Sequence, residues 1–166
     1  KNLNDYLNAL VTKFRTKAKT ALRKSEELTV IDMNLEEIEI YKEKLQSLYL
    51  QVLDKSSFQF GTLNAESFLN LKQNLGNDFI VRGYFLDSEL VGFSSSFLFN
   101  SILDANYVGI NYALNQEYAI YQRMLYDYIE LAITRNCNEL RFGRTAEEIK
   151  SSVGAIPVPM KLFIRH

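Results

Sequence analysis

One cysteine and one histidine are all that 166 residues supply of the two side chains that most often ligate metals or pair as nucleophile and base. Cys137 alone can close neither an internal disulfide nor a multi-cysteine metal site, which fits a reducing compartment, and a cytoplasmic location is expected. His166 ends the chain, so neither a histidine-centred triad nor a multi-histidine metal site is expected. The longest run without a charge, Leu90 to Leu103, is shorter than the roughly 20 residues a membrane helix requires. Residues 1–20 also lack an apolar stretch followed by a small-residue cleavage pattern, so neither a span nor a secretory leader is expected. The first methionine is Met33, and the chain is expected to be excised from a longer protein.

What is present is an apolar share of 47% with 13% aromatics, enough for one domain with a substantial core. The net charge of −1 is unevenly spread: residues 1–24 hold seven Lys and Arg against Asp5 alone. That basic segment reads as one amphipathic helix over 3–24, with Leu3, Leu7, Leu10, Phe14, Ala18 and Ala21 on one stripe. Arg15, Lys19 and Arg23 form an i, i+4, i+8 row that an external phosphate or other anion would relieve. The eight acids of residues 25–54 offer intramolecular relief instead. A pI near 5.9 argues against broad nucleic-acid binding and leaves room for one positive face.

Further along, Leu28–Met33 reads as a strand, and Asn34 as the cap of a helix carrying Ile38, Tyr41, Leu45, Leu48 and Val52 at helical spacing. Ser, Gly and Asn punctuate 56–64 before a short helix, Ala65–Leu75, closed by Gly76. Three strands follow, Asp78–Leu86, Glu89–Asn100 and Ile102–Ile110, with a hairpin turn at Asp87-Ser88. Asn115 is the expected cap of a long helix, Gln116–Asn136, whose apolar stripe is wide enough to imply burial against a sheet. Glu139–Gly143 reads as a short strand, Ala146–Ser152 as a short helix, and Pro157–Arg165 as a last extended segment whose prolines favour an edge.

The run Phe142-Gly143-Arg144, then Glu148-x-Lys150, then Gly154 closely resembles the ending of a GNAT-type acyltransferase branch related to the Fem aminoacyltransferases of peptidoglycan synthesis. The element order over residues 28–166 resembles the GNAT core as well. The resemblance implies an α/β (α+β) GNAT acyl-CoA N-acyltransferase fold, a mixed central sheet with helices on both faces. Its fourth and fifth strands would splay, here the one ending near Gly109 and the one ending near Gly143, and an acyl donor would enter the gap. It also implies acyl-CoA or aminoacyl-tRNA as donor and a small-molecule or cell-wall-precursor amine as acceptor. Tandem architecture, with 1–166 a single GNAT-like domain and the C-terminal half of a longer protein, follows from the Fem comparison, as does tRNA as a partner of the basic helix.

Arg144 and Lys150 are the leading substrate-binding candidates, a planar fork and a mobile point charge at the mouth of the expected splay. Glu147 could neutralise Lys150 at i,i+3. Thr145-x-x-Glu148 reads as a capping box. Tyr107, Asn111 and Tyr121 could line a substrate pocket, although aromatics at such spacing are more often core. Asp104, on the fourth strand, is a candidate to accept a proton from an amine. The Gly-rich loop that cradles the coenzyme A pyrophosphate in a typical GNAT is absent from Asn106–Asn115, where Gly109 stands alone and Tyr112 is bulky. N-acyl transfer to an amine is the expected activity, with a non-catalytic docking module and a nucleic-acid binder as alternatives.

Overall fold

Two tight turns set the centre of the sheet. Asp87-Ser88 and Asn100-Ser101 hold all four residues at positive φ, between 47° and 68°, as two-residue hairpins require for their twist to match that of the strands. They join β2 (Phe79–Leu86), β3 (Glu89–Phe99) and β4 (Ile102–Ile110) into an antiparallel meander. Along one edge β1 (Thr29–Asp32) runs antiparallel to β2, and along the other β5 (Glu139–Phe142) runs parallel to β4. The sheet order is β1-β2-β3-β4-β5. The structure is a computed structural model and describes residues 2–56, 61–161 and 163.

Helices cover both faces because the strands bury both. On one face α3 (Leu35–Asp54) and α4 (Ala65–Leu75) press Ile38, Leu45, Leu48 and Phe68 onto Phe79, Val81, Leu90 and Phe93. Burial of side chains of this size stabilises the fold by about 1.5–3 kcal/mol each. On the other face α6 (Ile120–Thr134) sets Ile120, Met124, Tyr128 and Leu131 over Ile80, Tyr84, Val91 and Leu103. The outer side of α6 is covered in turn by α1 (Leu3–Ala9) and α2 (Thr12–Lys24), where Leu7, Ala18 and Ala21 meet Leu125, Tyr126 and Ile129. Burial on two sides accounts for the width of the apolar stripe on α6. Asn34 and Asn64 cap α3 and α4 in reciprocal boxes with Glu37 and Ser67.

The structure departs from the sequence expectations at four places. A continuous helix over 3–24 does not form: Leu10 and Val11 are extended, with ψ of 144° and 149°. Twenty-two helical residues would span about 33 Å, longer than α6, and the break folds both halves onto it. Arg15 Nη2 donates to the Leu10 carbonyl across the break at 3.0 Å. The long helix begins earlier than expected, as α5 (Tyr112–Tyr118) capped by Asn111, and left-handed Ala119 at φ 49° separates it from α6. Asn115 therefore lies inside α5 and caps from there, its Oδ1 accepting the Tyr121 N–H at 2.9 Å.

The capping box at Thr145 is not made either. Left-handed Ala146, at φ 58°, precedes α7 (Glu147–Ser151) and no side chain caps it. Residues 157–161 and 163 form no strand. The rest of that expected segment, His166, and residues 57–60 of the punctuated loop lie outside the described residues. No helix among the described residues is long and apolar enough to cross a membrane, and no group of three or more potential metal ligands occurs among them.

Candidate functional site

Pairing between β4 and β5 stops early. It runs from Ile102↔Glu139 to Ala105↔Phe142, and β4 then continues to Ile110 after β5 has ended. A bulge bends β4 where the two part. Its pairing with β3 passes from Ser96↔Ala105 to Ser94↔Val108, so Asn106 and Tyr107 together face Ser95. Ser95 Oγ accepts the Tyr107 N–H and donates to the Tyr107 carbonyl, each at 3.0 Å. Beyond the bulge, the Asn111 N–H reaches the Val91 carbonyl at 2.9 Å. The alternation of an antiparallel ladder then turns the backbone groups of Val108 and Ile110 away from β3, toward the side that β5 has vacated. No described residue bonds them there. The result is a break in the pairing between β4 and the end of β5, a slot edged by backbone groups that no described residue bonds.

Gly143 forms the floor of that slot. A Cβ on it would stand 3.7 Å from the Ala105 carbonyl oxygen and 3.9 Å from Lys150 Nζ, so the last paired residue of β4 and the Lys150 ammonium flank the same point. Lys150 comes from α7, is half-buried, and forms no hydrogen bond or ion pair through its ammonium with any described residue; Glu147 does not pair with it. Burial pushes its pKa below that of an ordinary lysine. Arg144 follows Gly143 directly and is exposed.

The other candidates are distributed around this geometry. Tyr107 turns toward α3 and α4, its ring edge-on to Tyr49 and Phe68 at 6.0 and 6.1 Å. Asn111 is occupied in local structure, its backbone on Val91 and its side chain on the Ala113 N–H. Tyr121 packs with Leu140 and Phe142 between α6 and β5. Burial, reinforced by Tyr112, pushes its hydroxyl up to about 12. Asp104 sits in the closed half, opposite Arg141; burial pushes its carboxyl up, with Arg141 opposing and Glu139 adding to that shift. Arg15, Lys19 and Arg23 lie on α2, across α6 from the sheet, with Arg15 turned to Leu10 and the other two exposed. Ser95 and Lys55, whose Nζ stands 3.7 Å over the Tyr112 ring, were not singled out from sequence. The three consecutive serines at 94–96, inside an otherwise apolar strand, were the available signal.

The open edge of β4 fits an extended acyl arm, which would bond as a strand does. The turn after β4 does not fit a pyrophosphate in the way a Gly-rich loop would. One residue separates β4 from α5, Asn111 already takes the Ala113 N–H, and Tyr112 stands at the helix start. Gly109 serves packing instead, because a Cβ there would run into the Phe93 ring and stand 2.8 Å from Leu48 Cβ.

No protein-family model and no curated protein matches the sequence. Solved structures do match. FemX aligns with a TM-score of 0.68 at 14% identity over 87% of this chain and 51% of that one, so the chain spans about half of the FemX length. An aminoglycoside acetyltransferase from an uncultured soil metagenomic sample, in complex with sisomicin, aligns at 0.62 and 12% over 85% and 97%. A GNAT family acetyltransferase from Staphylococcus aureus subsp. aureus aligns at 0.61 and 11% over 84% and 99%. The chain has the GNAT fold. Identity this low establishes the GNAT architecture, a five-stranded mixed sheet flanked by helices, and leaves the chemistry to the site.

Proposed function

We propose that the domain transfers an acyl group from a thioester to the nitrogen of an amine, within the slot between β4 and β5. The observation that carries this reading is the early end of the β4–β5 pairing at Ala105↔Phe142, with the backbone of Val108 and Ile110 beyond it bonded by no described residue on that side. An extended donor arm would complete that edge as a missing strand does, and an N–H left free at the strand can polarise the thioester carbonyl. Such a site works by positioning, and it needs no nucleophilic side chain. Acyl-coenzyme A is the donor implied by the GNAT resemblance. The residues present fit its acyl arm and not its nucleotide end, and the donor class this reading takes is a thioester. In this proposal Lys150 and Arg144 put positive charge at the floor and rim, and Tyr121 and Phe142 wall the slot.

Thiol release from acetyl-coenzyme A and from acetyl-pantetheine, measured against a panel of primary amines, tests the reading. Turnover with at least one pair is expected. Absence of both turnover and donor-induced thermal shift in a folded protein would remove it.

One observation favours a second reading. The match to about half of FemX suits a domain that serves a longer tandem protein as a recognition module. That reading expects thermal stabilisation by an amine acceptor and none by any thioester.

A further inference from the structure

Among the described residues Lys150 is the ammonium placed at the slot floor, and none of them pairs with it. Its Nζ lies beside Gly143, 3.9 Å from the position a Cβ would take, and Gly143 in turn abuts the carbonyl of Ala105, where β4 and β5 close. No carboxylate among the described residues pairs with it, although Glu147 and Glu148 precede it on the same short helix. Desolvation without a partner is unfavourable for a charged amine. That cost is repaid when a negative charge arrives.

The slot itself brings such a charge. A donor lying extended along the free edge of β4 can travel inward only as far as the floor, because the strands are paired beyond it. Its reactive end therefore stops beside Gly143, within reach of Lys150. We propose that Lys150 is the proton donor to the thiolate that departs when the acyl group moves to the acceptor amine. The inference rests on the thioester reading above. The amine nitrogen forms a bond to the carbonyl carbon and sheds a proton to water, the carbon–sulfur bond breaks with its electron pair on sulfur, and Lys150 Nζ supplies the proton that makes the free thiol. Solvent then reprotonates Lys150, and the net change is thioester plus amine to amide plus thiol.

Other groups near the slot suit this step less well. Arg144 is too weak an acid. Burial makes the Tyr121 and Tyr112 hydroxyls weaker acids than ordinary phenols, and Asp104 lies in the closed half of the strand pair. A desolvated lysine, in contrast, moves toward the range of an alkyl thiol, about 8.5.

The test varies the leaving group. Wild type, Lys150→Gln and Lys150→Arg are compared on S-acetylpantetheine, which releases an alkyl thiolate that needs a proton, and on S-acetyl-4-nitrothiophenol, which releases a stable aryl thiolate. The acceptor is the fastest amine of the panel, uncatalysed aminolysis is subtracted, and melting temperatures confirm folding. Proton donation predicts that both variants lose about 10²-fold in turnover on the alkyl donor and less than threefold on the aryl donor. Equal losses on the two donors would mean that Lys150 only binds or positions, and would overturn the proposal. So would full activity of Lys150→Arg, which keeps the charge and withholds the proton, or of Lys150→Gln. A wild-type protein inert toward both donors would instead bring down the thioester reading, and this inference with it.

Discussion

Ser95 props open the bulge of β4 by bonding both backbone groups of Tyr107, accepting its N–H and donating to its carbonyl at 3.0 Å each. The side chain is almost wholly buried. The bulge is what bends β4 at the point where β5 is lost, which ties one serine hydroxyl to the opening of the slot.

Ser95→Ala is accordingly expected to destabilise the fold by about 1–3 kcal/mol, the cost of leaving buried polar groups unpaired. Urea unfolding measures the loss. Thiol release by the folded fraction should fall as well, because β4 is free to shift its register; unchanged turnover per folded molecule would detach the bulge from function.

Gly143 permits a separation of folding from activity. An added Cβ meets only ordinary van der Waals distances, so Gly143→Ala should melt within a few degrees of wild type. Gly143→Leu places a branched side chain on the slot floor and is expected to abolish donor turnover while the melting temperature stays close to that of Gly143→Ala. Full turnover by the leucine variant would place the reacting group elsewhere.

The pair Arg123 and Asp127 ties α6 into the core. Arg123 Nε donates to Asp127 Oδ1 at 2.8 Å and its Nη1 to the Ser25 carbonyl, while Asp127 is nearly inaccessible and its Oδ2 has no hydrogen-bond partner among the described residues. Arg123→Ala strips the buried carboxylate of its hydrogen-bonded cation and should cost about 3–5 kcal/mol. Replacing both residues with apolar ones of similar volume should cost less than that single change. Chemical denaturation of the two variants decides between these outcomes.

Burial pushes the hydroxyls of Tyr6 and Tyr121 up to about 12. For an acid whose folded pKa exceeds its unfolded value of about 10, the unfolded chain loses its proton first. Stability is then complete below pH 10 and falls as pH rises from 10 toward 12. Urea midpoints at pH 9 and pH 11 should show the fall, and Tyr6→Phe should lessen it. Tyrosinate absorbance should show a late-titrating group of tyrosines over the same range.

Most of the fold was legible in the chain. The apolar period of α3 and α6, the capping Asn34, and the hairpin turn at Asp87-Ser88 are local signals, and each lies within a few residues of what it specifies. The breaks at Leu10-Val11 and Ala119 were not legible, because the helical stripe runs through both. They exist only because two helices must lie on one side of α6 and the chain must turn from β4 onto the sheet. The candidate site divides in the same way. Lys150 and Gly143 stand in a recognisable run of residues, yet Ser95 lies far from it in sequence and acts on Tyr107 through a bulge that no spacing encodes.

The sequence by itself determined the elements and their order, since hydrophobic period, caps and turns act over distances of one to four residues. It also determined that any catalysis must proceed with scarcely a histidine or cysteine to call on. Only the tertiary structure decided that β4 and β5 part after Ala105, and that the Lys150 ammonium stands at that point with no partner among the described residues. Pairing between strands is a contest among backbone groups distant in the chain, settled by how the helices pack on them.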